Sequence, residues 1–198
     1  MLNNLELIKP LLTFQSEDTY YFLQILQRKK EHAELGRNSN NVKNYYIKSV
    51  EHLEHKMSEI IKLCEVFNAR AYIRLTPRSY KKTALHHLQK MAGMIAEGNY
   101  KDISKSYLSS SGSTNEGTDK RWIVDIDTLN EEYDRAIQLI IAECKPEGNK
   151  ILANLPSKNG NHIITSPFDI QTFNQKVKEK GLEVPEIHKD NPTNLIIP

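Results

Sequence analysis

From residue 68 onward the spacing of apolar residues switches repeatedly between a period of two and a period of three to four, and this alternation constrains the fold more than any other feature. ARAYIRL reads as a strand. KKTALHHLQKMAGMIAEG reads as a helix with Leu85, Leu88, Ala92 and Ile95 on one side and Gly98 placed to end it. RWIVDID is then a strand, and TLNEEYDRAIQLIIAEC a helix that turns Leu129, Tyr133, Ala136, Ile137, Ile140 and Ile141 inward. KILANLP and HIITSPF flank the turn SKNGN as a hairpin. DIQTFNQKVKEKG predicts a helix begun by Asp169 and stopped by Gly181, and TNLIIP a last strand. The order β-α-β-α-β-β-α-β predicts an α+β sandwich, with helices on one face of a mainly antiparallel sheet and the other face free for a site.

Residues 1–67 read differently. EDTYYFLQILQRKKEHAEL looks helical, and NYYIKSVEHLEHKMSEIIKLCEV carries Tyr46, Val50, Leu53, Met57, Ile60 and Cys64 at spacings of three and four. The expectation is an N-terminal helical hairpin joined by the turn GRNSNN and packed onto residues 68–198 as one compact body. ISKSYLSSSGSTNEGTDK, rich in Ser and Gly, predicts a mobile loop.

Composition narrows the class. With 198 residues, 38% of them hydrophobic and 26% charged, the chain can bury a sizeable core. A net charge of +2 creates no strong global field, so contact with nucleic acid must come from a local basic patch. Cys64 and Cys144 fall in helical stretches without metal-ligand spacing, which predicts reduced thiols and a cytoplasmic setting. The N-terminus lacks a signal-peptide pattern, and no run approaches the roughly 20 apolar residues of a membrane span, so neither secretion nor membrane insertion is expected.

The chemistry concentrates in two places. Side chains alternate across a strand, so Asp125 and Asp127 in WIVDID project from one face, within reach of a shared divalent cation. If Val124 and Ile126 face the helices, both acids face the free side. The plainer alternative is that Asp127 or Thr128 caps the following helix. The hairpin adds His162, with Gly160 two residues before it and Ser157 and Lys158 at the entrance to the turn, a set suited to an anionic oxygen such as phosphate. Further positive charge lies in RAYIRLTPRSYKK, where Arg70, Arg74, Arg78, Lys81 and Lys82 accompany Tyr72 and Tyr80, a mixture able to hold phosphates or stack a base. His188, near Asp190, is a weaker candidate ligand.

The succession of hhhDhD (WIVDID), a Gly-x-His strand after a Ser-containing turn (SKNGNH), and a strand opening near an acid (IHKDNPTNLIIP) resembles the archaeo-eukaryotic primase superfamily, in particular the short primase-polymerase-like proteins of phages and mobile elements. The resemblance covers residues 68–198. It implies an RRM-like palm in which Asp125, Asp127 and a third acid, Asp190 with Glu186 as the nearest substitute, bind Mg²⁺ or Mn²⁺. It also implies that Ser157 and His162 form the second motif, with His162 and Lys158 meeting the triphosphate and Arg74 and Arg78 contacting triphosphate or template. The implied function is two-metal nucleotidyl transfer in DNA replication, from nucleoside triphosphates on a single-stranded DNA template, with a replicative helicase as a further partner. Two other readings are a catalytically inactive nucleotide- or nucleic-acid-binding palm and a metal-dependent phosphohydrolase. The second is weak, because DIDTL lacks the glycine expected after the second acid.

Overall fold

The structure is a computed structural model and describes residues 1–36, 38–113 and 120–198. It is an α+β fold built from two antiparallel sheets. In chain order the elements are β1 (Leu2–Asn3), α1 (Leu5–Ile8), β2 (Thr19–Gln27), β3 (Asn40–Ile47), α2 (Val50–Phe67), β4 (Arg70–Ile73), β5 (Arg78–Ser79), α3 (Tyr80–Ala96), α4 (Ile103–Ser113), β6 (Trp122–Ile126), α5 (Glu131–Glu143), β7 (Ile151–Pro156), β8 (Asn161–Thr165), α6 (Ile170–Glu179), β9 (Glu186–His188) and β10 (Thr193–Ile197). The larger sheet runs β1-β10-β4-β2-β3, with β5 added to β2, and the smaller runs β7-β8-β6-β9.

The smaller sheet follows the expected pattern from β6 to α6, but its fourth strand is β9, where no strand was expected. Its strands and helices come in the order β-α-β-β-α-β, and β8 lies between β6 and β7. Val124, Ile126 and Ile163 face α5 and α6 and close a core with Ile137, Ile140, Ile141, Phe173 and Val177. Asn130, rather than Asp127 or Thr128, caps α5, accepting hydrogen bonds from the N–H groups of Glu132 and Tyr133 at 3.0 and 3.2 Å. Asp127 is thereby left out of the cap. Leu129, outside the helix, is exposed instead of inward.

The N-terminal helical hairpin is not present. Residues 19–27 are the central strand β2, and the expected second helix divides into strand β3 and helix α2, which begins at Val50 behind the capping Ser49. The reason is burial on both faces. Tyr20 and Phe22 pack beneath α3 and α4 with Tyr46, Tyr80 and Tyr107, while Tyr21, Leu23 and Ile25 face Leu53, Met57, Ile60 and Cys64 of α2. A strand covered on both sides loses its alternation and becomes a continuous apolar run, readable as a helix. Because β2 pairs with β4, the division at residue 68 falls inside this sheet.

Two further expectations are corrected. Residues 103–113 form α4 rather than a loop, because Ser106, Ser110 and Ser111 are buried and Ser106 meets His87 of α3 at 3.0 Å; residues 114–119 lie outside the described residues. The single sheet expected for 68–198 is also split, since its first and last strands, β4 and β10, pair with each other in the larger sheet. Consequently one face of the smaller sheet is not wholly free. Ile123, Leu155 and Ile164 join the core beneath the larger sheet, and only the polar end of that face stays open. Cys64 and Cys144 are free and buried, as expected. No described helix is long and apolar enough to cross a membrane.

Candidate functional site

The open end of the smaller sheet forms one wall of a cleft of about 960 Å³ between the two sheets. Register decides what lines that wall. Asp125 stands directly opposite His162 on β8 and opposite Glu186 on β9, and Ile123 stands opposite His188. Paired residues in an antiparallel sheet share a face, so Asp125, His162, Glu186 and His188 converge on the side away from α5 and α6. His162 Nε2 lies 3.3 Å from Asp125 Oδ1, and His188 Nε2 lies 3.8 Å from Asp125 Oδ2. The hydrogen bond from His162 holds the Asp125 carboxyl below the ordinary carboxylate range, more than offsetting burial, with help from the charges of His188 and Arg28. Asp127, just past the end of β6, is exposed and lines the same cleft.

His162 is fixed from behind. Its Nδ1 is 2.8 Å from the hydroxyl of Thr193, a fully buried residue of β10 in the other sheet. One imidazole therefore ties the two sheets together and aims its second nitrogen at Asp125. Gly160 holds the hairpin against the acid-bearing strand: a Cβ there would sit 1.9 Å from the Ile126 carbonyl oxygen and 2.9 Å from the Thr128 nitrogen. Only glycine permits that approach. The turn is closed by Ser157 N–H donating to the Gly160 carbonyl at 2.9 Å, which leaves Ser157 and Lys158 on the cleft wall.

The opposite wall is basic and comes from the larger sheet. Arg28 and Lys30 follow β2, and Arg70 and Tyr72 come from β4. Arg70 is buried and gripped by Glu31 through both carboxylate oxygens, the Nε contact being 3.1 Å; Lys158 reaches the same glutamate at 3.6 Å. Arg28, Lys30 and Glu31 escaped notice in the sequence because the helical reading of QILQRKKE hid their place at the end of a strand. The charged run RKKE immediately after an apolar run was the available signal.

No family model matches the sequence, and no curated protein or solved structure matches it either.

Four of the candidate residues do not line the cleft: Gly160, which packs against the Ile126 backbone, and Asp190, Arg74 and Arg78. Asp190 is bound to Arg78, whose Nη2 is 2.9 and 2.8 Å from its two carboxylate oxygens, and its backbone carbonyl accepts from Arg74. Arg78 is completely buried. A guanidinium without water needs a carboxylate beside it, so Asp190 neutralises a structural cation. None of Asp190, Arg74 and Arg78 lines the cleft. Among the described residues no three His, Cys, Asp or Glu side chains are grouped so as to hold a metal ion by themselves. Asp125 and Asp127 supply two carboxylates beside open space, a donor set that suits Mg²⁺, which commonly takes one or two protein carboxylates and completes its shell with water and substrate phosphates.

Proposed function

We propose that this chain is a nucleotidyltransferase of the primase-polymerase kind, acting in DNA replication in a phage or mobile element. The observation that carries the reading is the cross-strand register of Asp125 with His162, which aims an acid and an imidazole from separate motifs into one cleft. The order β7-β8-β6-β9 of the smaller sheet supports the reading of an RRM-like palm. The cleft falls in the size range of pockets that bind small molecules, and its two walls differ in charge in the manner a nucleoside triphosphate requires.

In this reading Asp125 and Asp127 hold Mg²⁺ or Mn²⁺, which when bound lowers the pKa of a primer 3′-hydroxyl and stabilises charge on the leaving pyrophosphate. Lys158, Arg28 and Lys30 neutralise the triphosphate, and the Ser157–Gly160 turn places backbone groups beside it. His162, held by Thr193, orients the Asp125 carboxylate. Glu186, opposite Asp125 across β6 and β9, takes the part of third acid that Asp190 leaves unfilled. Single-stranded DNA is the template, and a replicative helicase a further partner.

The experiment is incorporation of labelled nucleotides on a single-stranded DNA template with Mg²⁺ or Mn²⁺. Template-dependent product that disappears in Asp125→Asn/Asp127→Asn is expected; its absence from the wild type refutes the activity. A second reading, a palm that binds nucleotide or nucleic acid without catalysis, is favoured by the commitment of Asp190 to Arg78. Nucleotide binding without incorporation would select it.

A further inference from the structure

The apolar stripe of α3 points into solvent. Leu85, Leu88 and Ile95 are 54, 58 and 48% exposed, and Ala92 among them is exposed as well. The side of α3 held to the body of the protein makes polar contacts instead. Thr83 meets the Tyr20 hydroxyl at 2.8 Å, His87 meets Ser106 at 3.0 Å, and Lys90 donates to Ser109 at 2.6 Å. This is the reverse of an ordinary surface helix, whose apolar stripe faces the core. The 3-4-3 spacing of residues 85, 88, 92 and 95 is that of the seam between two coiled helices.

The stripe is complementary to itself when two copies run antiparallel. Leu85 then stands opposite Ile95 of the second copy, and Leu88 opposite its Ala92, so each large side chain of the inner pair meets a small one. Charge agrees with size. Lys81 and Lys82 are exposed at one end of the helix and Glu97 at the other, so antiparallel pairing brings unlike charges together while parallel pairing would align like ones. We propose that α3 is the interface of a two-fold symmetric dimer, in which each residue pair occurs twice. Two heptads are short against the roughly 1,200–2,000 Å² of a standard interface, so the dimer is weak and forms with rising concentration.

Sedimentation velocity of the full chain over about a hundredfold range of concentration tests this by mass action. The wild type is expected to shift from monomer to dimer, and Leu88→Glu to remain monomeric with an unchanged helical circular dichroism signal, since position 88 is exposed. Leu88→Cys/Ala92→Cys is expected to form a covalent dimer on oxidation, because Cys64 and Cys144 are buried and do not compete. A wild type that stays monomeric throughout, a dimer that persists in Leu88→Glu, or a monomer that instead binds anionic lipid vesicles would each overturn the proposal.

Discussion

Asp125 and Asp190 are both partly buried acids with basic partners, yet they belong to opposite kinds of site. Asp125 is paired with imidazoles at 3.3 and 3.8 Å and opens onto a cleft. Asp190 holds a guanidinium of a completely buried arginine at 2.8 and 2.9 Å, with a second arginine at its carbonyl. The difference is in what each loss would leave behind. Without Asp190, a permanent charge is stranded in the interior. Without the charge on Asp125 no permanent charge is stranded, because its partners are imidazoles and not guanidinium groups. An acid committed to a buried arginine is structural, whereas one beside titratable groups and open space is available for chemistry.

The largest expected effect tests the structural half of this contrast. Asp190→Ala should destabilise the protein by about 3 kcal/mol, the lower end for breaking a buried ion pair, as measured by urea denaturation. A cost no larger than that of Asp125→Asn would collapse the distinction. Next comes Gly160→Ala, which drives a methyl into the Ile126 carbonyl and should cost about 1–3 kcal/mol, the range for overpacking, while weakening any ligand binding that depends on Asp127. Thr193→Val removes the partner of His162 Nδ1 and should cost about 1 kcal/mol, with a loss of nucleotide-dependent stabilisation that Asp190 variants corrected for stability do not show.

Asp125→Asn should change stability least, by under about 1 kcal/mol, yet abolish the rise in melting temperature produced by Mn²⁺ plus a nucleoside triphosphate. A retained shift would remove the acid from the site. The pH response sharpens the same point. Because the native Asp125 carboxyl titrates below its ordinary value of 3.8, its contribution is fully present above that value and is lost as pH falls through the lowered native one. Asp125→Asn should therefore flatten the stability curve in that acid range and lower the neutral plateau by the same small amount without changing its slope.

Much of the site could be read before any tertiary structure. Alternation along WIVDI was enough to set Val124 and Ile126 against the helices and Asp125 on the other side, and SKNGN between two apolar runs was enough to bring Gly160 and His162 alongside. These are local signals, set by the two-residue period of a strand and the geometry of a tight turn. Asp190 could not be assigned this way. Nothing in IHKDNPTN shows that a buried Arg78, 112 positions earlier, claims the carboxylate, while His188 and Glu186 come to the cleft through the pairing of β9 with β6. The Ser-rich α4 was equally hidden, because its helix is supported by α3 against the intrinsic preference of serine for caps and turns.

The sequence by itself determined three of the four strands of the smaller sheet, the two helices that cover it and the face on which Asp125 lies; the fourth strand, β9, was not among them. Tertiary structure alone decided that a second sheet covers half of that face, that β2 is a central strand, and that Arg28, Lys30 and Arg70 supply the opposing wall. Periodicity records which side of an element is apolar, but not which distant element will cover it. That choice comes from burial summed over the whole chain.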